Sequence, residues 1–353
     1  MIYTEQIQAV LQKEGKSQPT LIQKETYEAI KNGASLVALA KTGTGKTLAY
    51  ALPALERVIP GEKNSLVILA PTTELAVKIR NAILPFAKAL GLKTLALVGA
   101  GNRQRQDERL KKDNCEVLVC TPGRFFDFFS SGRIKLVQIK TLVIDEADDI
   151  LEFAKLELLS SLGQNLPSSS QILLFGATES QITQEAEEIF ARHFLLVDVR
   201  PDQGSQTEHV FLQVDNKHKL EYLQRLCKLD GFRGLLFFDS NEGMLRFARI
   251  FAHSKTRFEV LANNFSKDKR QQAIRDLAKG KVKLLLATDL AARGLDIPKL
   301  TYVVNYEIPT DANTYMHRAG RTGRMQQEGK VVSLGNDHDL RKLKKLLEGE
   351  EIG

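Results

Sequence analysis

Cysteine is scarce: the 353-residue chain holds three, Cys115, Cys120 and Cys227. Cys115 and Cys120 flank the strand-like EVLV, and Cys227 falls in a helical pattern, so none has the paired spacing of a zinc site. The expectation is buried or half-buried thiols in a reducing compartment. Long apolar runs are also missing. None approaches the ~20 residues needed to span a membrane, so no membrane segment is expected. The opening residues, MIYTEQIQAVLQKEG, lack a basic start followed by an apolar core, which argues against a secretory signal and for the cytoplasm. No long tail is expected after the core either, since RKLKKLLEGEEIG (341 to 353) reads as a short helix, basic first and acidic last.

What is present is ordinary globular material, 43% hydrophobic and 26% charged. The net charge of +7 leans toward an anionic partner such as nucleic acid. Strand-like runs (SLVALA, LVILA, TLALV, EVLVC, TLVID, ILLFG) alternate with helical patterns such as TLAYALPALERVI, TELAVKIRNAILPFAKALG and DILEFAKLELLSSLGQNL. Short β-rich runs separated by helices predict a mostly parallel sheet covered on both faces. The rhythm breaks at VRPDQGSQTEH and resumes with HVFLQV, LLFFDS, FEVLA, VKLLLATD, YVVNYE and VVSLG. The chain is therefore expected to be α/β with two domains, 1–198 and 210–353, joined by a flexible linker at 199–209. A cleft between two such sheets, at the carboxyl ends of their strands, is the expected ligand site.

The stretch AKTGTGKT (40 to 47) lies between a strand and a helix. Gly43 and Gly45 permit a tight turn whose N–H groups point inward, and the following helix adds its positive end. With Thr42 and Thr44 in the loop, Lys46 can meet the terminal phosphates and Thr47 can offer a hydroxyl to Mg²⁺. TLVIDEAD supplies the acidic partner. Asp145 is placed to hold Mg²⁺, and Glu146 to orient or deprotonate a water that attacks the γ-phosphate. An acidic strand end that merely caps a helix is the bland reading of the same letters.

These motifs, in their order and spacing from about residue 15 to about residue 335, closely resemble the DEAD-box RNA helicases. The resemblance implies two RecA-like domains and an RNA-dependent ATPase using ATP and Mg²⁺. PTLIQ (19 to 23) resembles the family's adenine-reading motif, which assigns Gln23 to the adenine edge. PTTELA (71 to 76), the glycine pair of VGAGN and TPGR (121 to 124) are similar to its RNA-backbone contacts, implying Pro71, Thr72, Gly101, Thr121, Pro122, Gly123 and Arg124. Such groups suit phosphate and sugar rather than base edges, so little sequence preference is expected. GAT (176 to 178) looks like the motif that couples ATP to strand separation. ATDLAARGLDIP (287 to 298) implies Thr288 on an RNA phosphate and Gly294 and Asp296 at the nucleotide. HRAGRTGR (317 to 324) implies Arg321 and Arg324 as arginine fingers. The implied function is a clamp that bends one RNA strand and locally separates short duplexes or remodels RNA–protein complexes. A monomer is expected, with any specific target supplied by a partner protein.

The chain departs from the family pattern at several points. Lys16 stands where an aromatic residue usually stacks on adenine, and Thr73 replaces an arginine. Gly176 replaces a serine, and Ala262, Asn263 and Asn264 replace an HGD-like triplet. A weakly catalytic RNA clamp or assembly scaffold, a DNA helicase or translocase, and a small-molecule ATPase or kinase are the rival readings.

Overall fold

Apolar runs of four to seven residues become strands, and the amphipathic stretches between them become helices. The computed structural model describes residues 2–150, 154–200, 207–262, 265–292, 297–323, 329–347 and 352–353. They divide into two units, Met1–Gln203 and Gly204–Gly353. Of the stretch expected to link two domains, 201–206 lie outside the described residues and 207–209 belong to a strand.

The first unit holds β1 (Leu36–Leu39), β2 (Leu66–Leu69), β3 (Thr94–Leu97), β4 (Val117–Cys120), β5 (Thr141–Asp145), β6 (Gln171–Gly176) and β7 (Leu195–Asp198). They pair in the order β3-β4-β2-β5-β6-β1-β7, every pair parallel. Side chains alternate across the sheet, and the sequence supplies apolar residues for both faces. Leu36, Ala38, Ile68, Val119, Val143 and Phe175 pack under the helices Glu5–Lys13, Leu21–Lys31, Lys46–Glu56 and Thr73–Ala89. Val37, Leu39, Leu69, Leu118, Ile144 and Leu174 pack under Pro122–Ser130, Leu156–Asn165 and Ala186–Phe190.

The second unit holds β8 (Thr207–Gln213), β9 (Gly234–Phe238), β10 (Phe258–Leu261), β11 (Leu284–Thr288), β12 (Tyr302–Asn305) and β13 (Gly329–Gly335). Their order is β10-β11-β9-β12-β13-β8, again all parallel. Two further apolar layers cover its faces. The expected α/β class with parallel sheets flanked by helices is what is observed. All three thiols are buried.

Two local expectations fail. DILEFAKLELLSSLGQNL does not form one helix: its described helical part is Leu156–Asn165, and the residues after β5 form a turn in which the Asp149 N–H bonds the Glu146 carbonyl. The Asp148 side chain is committed to the end of β6, which holds the chain against the sheet there. Strand β7 was also not anticipated. Its LLVD is brief and half exposed, so the pattern alone does not distinguish it.

Candidate active site

The turn after β1 depends on two glycines with positive φ, Gly43 at 83° and Gly45 at 94°. Gly45 also has no room for a side chain, because a Cβ would stand 2.8 Å from Gln23 Nε2 and 3.0 Å from Thr20 Oγ1. Gln23 braces this turn: its Nε2 donates to the Gly45 carbonyl at 3.2 Å and its Oε1 accepts from the Thr20 N–H at 3.1 Å. Each end of the amide still has one hydrogen-bonding position to offer. Thr44 Oγ1 donates to the Lys41 carbonyl, and Lys46 Nζ to the Ala40 carbonyl, both at 2.7 Å. The ammonium thus stands over the loop, where the first helical N–H groups also point.

Asp145 ends β5, two strands from β1 in the sheet. Its Oδ2 accepts from the Tyr50 hydroxyl at 3.0 Å, and its Oδ1 from the Glu146 N–H at 3.0 Å. Burial, with the Glu146 carboxylate beside it, pushes Asp145 up to about 6, against the opposing pull of Lys46 and Tyr50. Burial first, then the Asp145 charge, drives the Tyr50 phenol well above its ordinary value, so it stays a donor. Glu146 occupies the left-handed region at φ 48°, and its buried Oε2 has no hydrogen-bond partner among the described residues. A non-glycine residue held there and an unsatisfied buried oxygen are both costly, and such features cluster at working sites. A hydroxyl at Thr47 and a carboxylate at Asp145 are hard oxygen donors. They suit Mg²⁺, which keeps several waters and takes few protein ligands when phosphates are present. Among the described residues no group of three or more His, Cys, Asp or Glu could hold a metal by itself.

Asp148 was not singled out from the sequence, yet it joins two motifs. Its Oδ2 accepts from the N–H groups of Ala177 and Thr178 at 3.0 and 2.9 Å, and from the Thr178 hydroxyl at 2.9 Å. The last acid of TLVIDEAD is therefore bonded to the GAT segment after β6. The available signal was the turn itself: a carboxylate beside a strand end with free N–H groups finds them readily.

The residues expected to touch RNA collect beyond β2, β3 and β4, the strands on the other side of β5. Thr72 follows β2 and caps the helix Thr73–Ala89, its Oγ1 accepting from the Leu75 N–H at 3.2 Å. The loop Gly99 to Gly101 follows β3 and is gripped by Gln106, whose amide exchanges bonds with both main-chain groups of Val98. Thr121 follows β4 and leads into the helix Pro122–Ser130, which carries Gly123 and Arg124. Arg124 reaches back to the carbonyls of Gly99 at 3.1 Å and Gly101 at 3.3 Å. Pro71, Thr72, Gly101, Thr121, Pro122, Gly123 and Arg124 thus share one stretch of the sheet's carboxyl edge. Gln106, the brace of this loop, was missed because a glutamine in a charged helix carries no signal of its own.

In the second unit Thr288 ends β11 and is buried. The dominant feature is Arg318, at 1% exposure the largest fully buried side chain. It forms a bidentate pair with Asp289 at 2.7 Å, meets Asp239 at 3.0 Å and donates to the Glu307 carbonyl at 2.7 Å. It also donates to Asn305 Oδ1 at 3.2 Å, over the Phe237 ring. Arg318 therefore ties together the ends of β9, β11 and β12. Arg321, also buried, lines the same small cleft with Asp289 and His317. Gly294, Asp296 and Arg324, like Asn263 and Asn264, lie outside the described residues.

Comparison with known proteins gives a consistent result. Residues 20–186 match the family model for the DEAD/DEAH box helicase, and residues 218–326 the helicase conserved C-terminal domain. The chain is 36% identical to a probable ATP-dependent RNA helicase of Bacillus subtilis, YfmL, over 94% of this chain and 89% of that one. It is 33% identical to the DEAD-box ATP-dependent RNA helicase CshC of Bacillus cereus, over 96% and 87%. Its fold is similar to S. cerevisiae Dbp5 bound to RNA and ADP BeF3, with a TM-score of 0.84 and 25% identity over 99% of this chain and 93% of that one. No described helix is long and apolar enough to cross a membrane.

Proposed function

The chain belongs to the DEAD-box family of ATP-dependent RNA helicases, and from that premise we propose how its residues divide the work. ATP lies on the 40 to 47 loop, with Thr42, Gly43, Thr44 and Gly45 turning their N–H groups toward the phosphates. Lys46 meets the β- and γ-phosphates, and Gln23 offers its remaining donor and acceptor to the adenine edge. Gly294 and Asp296 complete the nucleotide contacts. Thr47 and Asp145 would hold Mg²⁺, which when bound would screen the phosphate charge. Glu146 orients the attacking water and takes its proton through Oε2, the carboxylate oxygen without a partner among the described residues. Arg321 and Arg324 neutralise charge that builds on the γ-phosphate.

RNA lies along the ends of β2, β3 and β4, held by its backbone through Pro71, Thr72, Gly101, Thr121, Pro122, Gly123 and Arg124, with Thr288 on a further phosphate. Hydrogen-bond donors of this kind read phosphate and sugar, so the clamp accepts many sequences, and the 2′-hydroxyl favours RNA over DNA. Asp148 links the acidic turn to the GAT segment that the family uses for coupling, because any shift of that segment moves the turn that carries Asp145 and Glu146. ATP and RNA then tighten each other's binding to the same degree. Hydrolysis releases the strand, so separation stays local. We place the chain in the cytoplasm, working as a monomer that a partner protein directs to its target.

The observation that carries this reading is the division of one sheet edge. The phosphate loop, the acidic pair and GAT follow β1, β5 and β6, and the RNA-facing group follows β2, β3 and β4. Steady-state ATP hydrolysis with no nucleic acid, with single-stranded RNA and with DNA of the same sequence tests it. Strong stimulation by RNA alone is expected. Equal stimulation by DNA, or none by RNA that still binds, would overturn it.

A further inference from the structure

Strand β7 is the outer strand of its sheet and, among the described residues, pairs with β1 alone. The Leu195 N–H bonds the Ser35 carbonyl and the Val199 N–H the Leu39 carbonyl, both at 3.0 Å. Main-chain groups of alternate residues point to opposite sides of a strand, so Leu196 and Asp198 turn theirs away from the sheet. Edge strands are usually blunted by lysine, proline or a covering element. β7 has neither lysine nor proline, and Leu195 and Leu196 are 43% and 69% exposed.

Beside this edge lies a cavity of about 320 Å³. The register sets Leu196 next to Val37. Val37, Leu39, Ala186 and Phe194, all buried, line the cavity together with the exposed Leu196. The rim is acidic. Residues 179–191 hold Glu179, Glu185, Glu187 and Glu188 and no lysine or arginine, in a chain whose net charge is +7. Arg200 answers Glu179 and Asp198, at 2.8 and 2.6 Å, and His193 stands 2.7 Å from Glu187. Glu185 and Glu188 are exposed and make no ion pair among the described residues.

We propose that the β7 edge and its cavity receive an extended, basic segment of a partner protein by strand addition, an aliphatic side chain entering the cavity and flanking lysines or arginines meeting the acidic rim. The main-chain groups of Leu196 and Asp198 supply the ladder, and alternate side chains supply the selectivity. The rim repels a phosphate backbone, which sets this surface apart from the RNA path. It equally opposes a second copy of this chain, because two such rims would face each other. The surface gives the targeting partner of the proposed function a docking place. It rests on that reading only in supposing such a partner, and peptide binding and ATP hydrolysis are read separately.

The probe is a fluorescein-labelled heptapeptide of alternating lysine and valine with a central leucine, titrated with the full chain and followed by anisotropy. Saturable binding is expected, weakened at least tenfold by Leu196→Lys and by Leu196→Ser, with ATP hydrolysis and melting temperature unchanged. A peptide of equal charge with proline at its centre is expected not to bind. Four outcomes would overturn the proposal: no binding, equal binding to Leu196→Lys, displacement of the peptide by RNA, or a dimer of the chain that Leu196→Lys dissolves.

Discussion

The Tyr50 hydroxyl donates a 3.0 Å hydrogen bond to Oδ2 of Asp145, and both side chains are buried. The bond holds a carboxylate that its surroundings disfavour. Asp145 is pushed up to about 6, above its ordinary 3.8. A carboxyl raised in the folded state stabilises the fold fully below its unfolded value, and that contribution is lost as pH rises through about 6. At pH 7.5 the ionised group costs on the order of 3 kcal/mol, at 1.36 kcal/mol per unit. Asp145→Asn, measured without divalent ions, should therefore raise the urea midpoint at pH 7.5 and lose most of that advantage by pH 4, while ATP turnover disappears. A variant less stable than the parent at pH 7.5 would show that the amide forfeits more than the charge did.

Glu146→Gln keeps the shape of the turn and removes the base. Turnover should fall by at least ~100-fold, within the usual range for a general base, while ATP and RNA bind as before. Equilibrium binding of a fluorescent ATP analogue beside steady-state hydrolysis checks this. Near-normal turnover would remove Glu146 from the chemistry.

The order of the strands was not needed to find the motifs, but it explains them. The alternation of SLVALA, LVILA and TLVID with helical stretches carries the α/β class, because a buried parallel strand is apolar on both faces. Lys46, Asp145 and Glu146 stand out as candidates because a phosphate loop and an acidic strand end have few other uses in one domain. Asp148 and Gln106 do not. Their roles come from which main-chain groups the fold brings within 3 Å of them, and spacing along the chain does not report that. Arg318 sat in plain view in HRAGRTGR, but only the convergence of Asp239, Asp289 and Asn305 separates a buried hub from a basic face.

Arg318→Met tests that hub. Removing the buried guanidinium leaves Asp289 and Asp239, 27% and 53% exposed, to water and forfeits its charged hydrogen bonds, at a cost of roughly 1–3 kcal/mol. The second unit should unfold at clearly lower denaturant, seen as an early transition in the circular dichroism titration. Arg318→Lys should recover only part of the loss, since an ammonium cannot reproduce the fork that meets Asp289. A single unshifted transition would show that the carboxylates find other partners.

Gly176 stands where the family has serine. A Cβ there would lie 3.2 Å from both Asp148 Oδ1 and the Thr178 carbonyl, so the Asp148 bridge must yield by a few tenths of an ångström. Gly176→Ser should cost about 1 kcal/mol, lowering Tm by roughly 2–4 °C in a unit of this size. The added hydroxyl beside the bridge should raise the RNA stimulation of ATP hydrolysis. A lower Tm with unchanged stimulation would mean that the Asp148 bridge already ties GAT to the acidic turn without it.

Lys16 lines a cavity of about 230 Å³ with Pro19, Gln23 and Leu52, close to the Gly45 turn. Its ammonium leaves the cavity to pair with Glu14 at 2.6 Å, so the side chain offers a flexible stem where the family offers a flat ring. Stacking of a base on an aromatic ring is worth about 1–3 kcal/mol. Lys16→Phe should therefore lower the KM for ATP by about fivefold or more, at the weak end of that range. It should leave kcat nearly unchanged, because the contact is equal in ground and transition states. Initial rates across an ATP series with saturating RNA separate the two constants. An unchanged KM would assign adenine packing to another wall of the cavity, of which Tyr3 is the aromatic member. Tyr3→Leu would then be expected to raise KM in the parent chain.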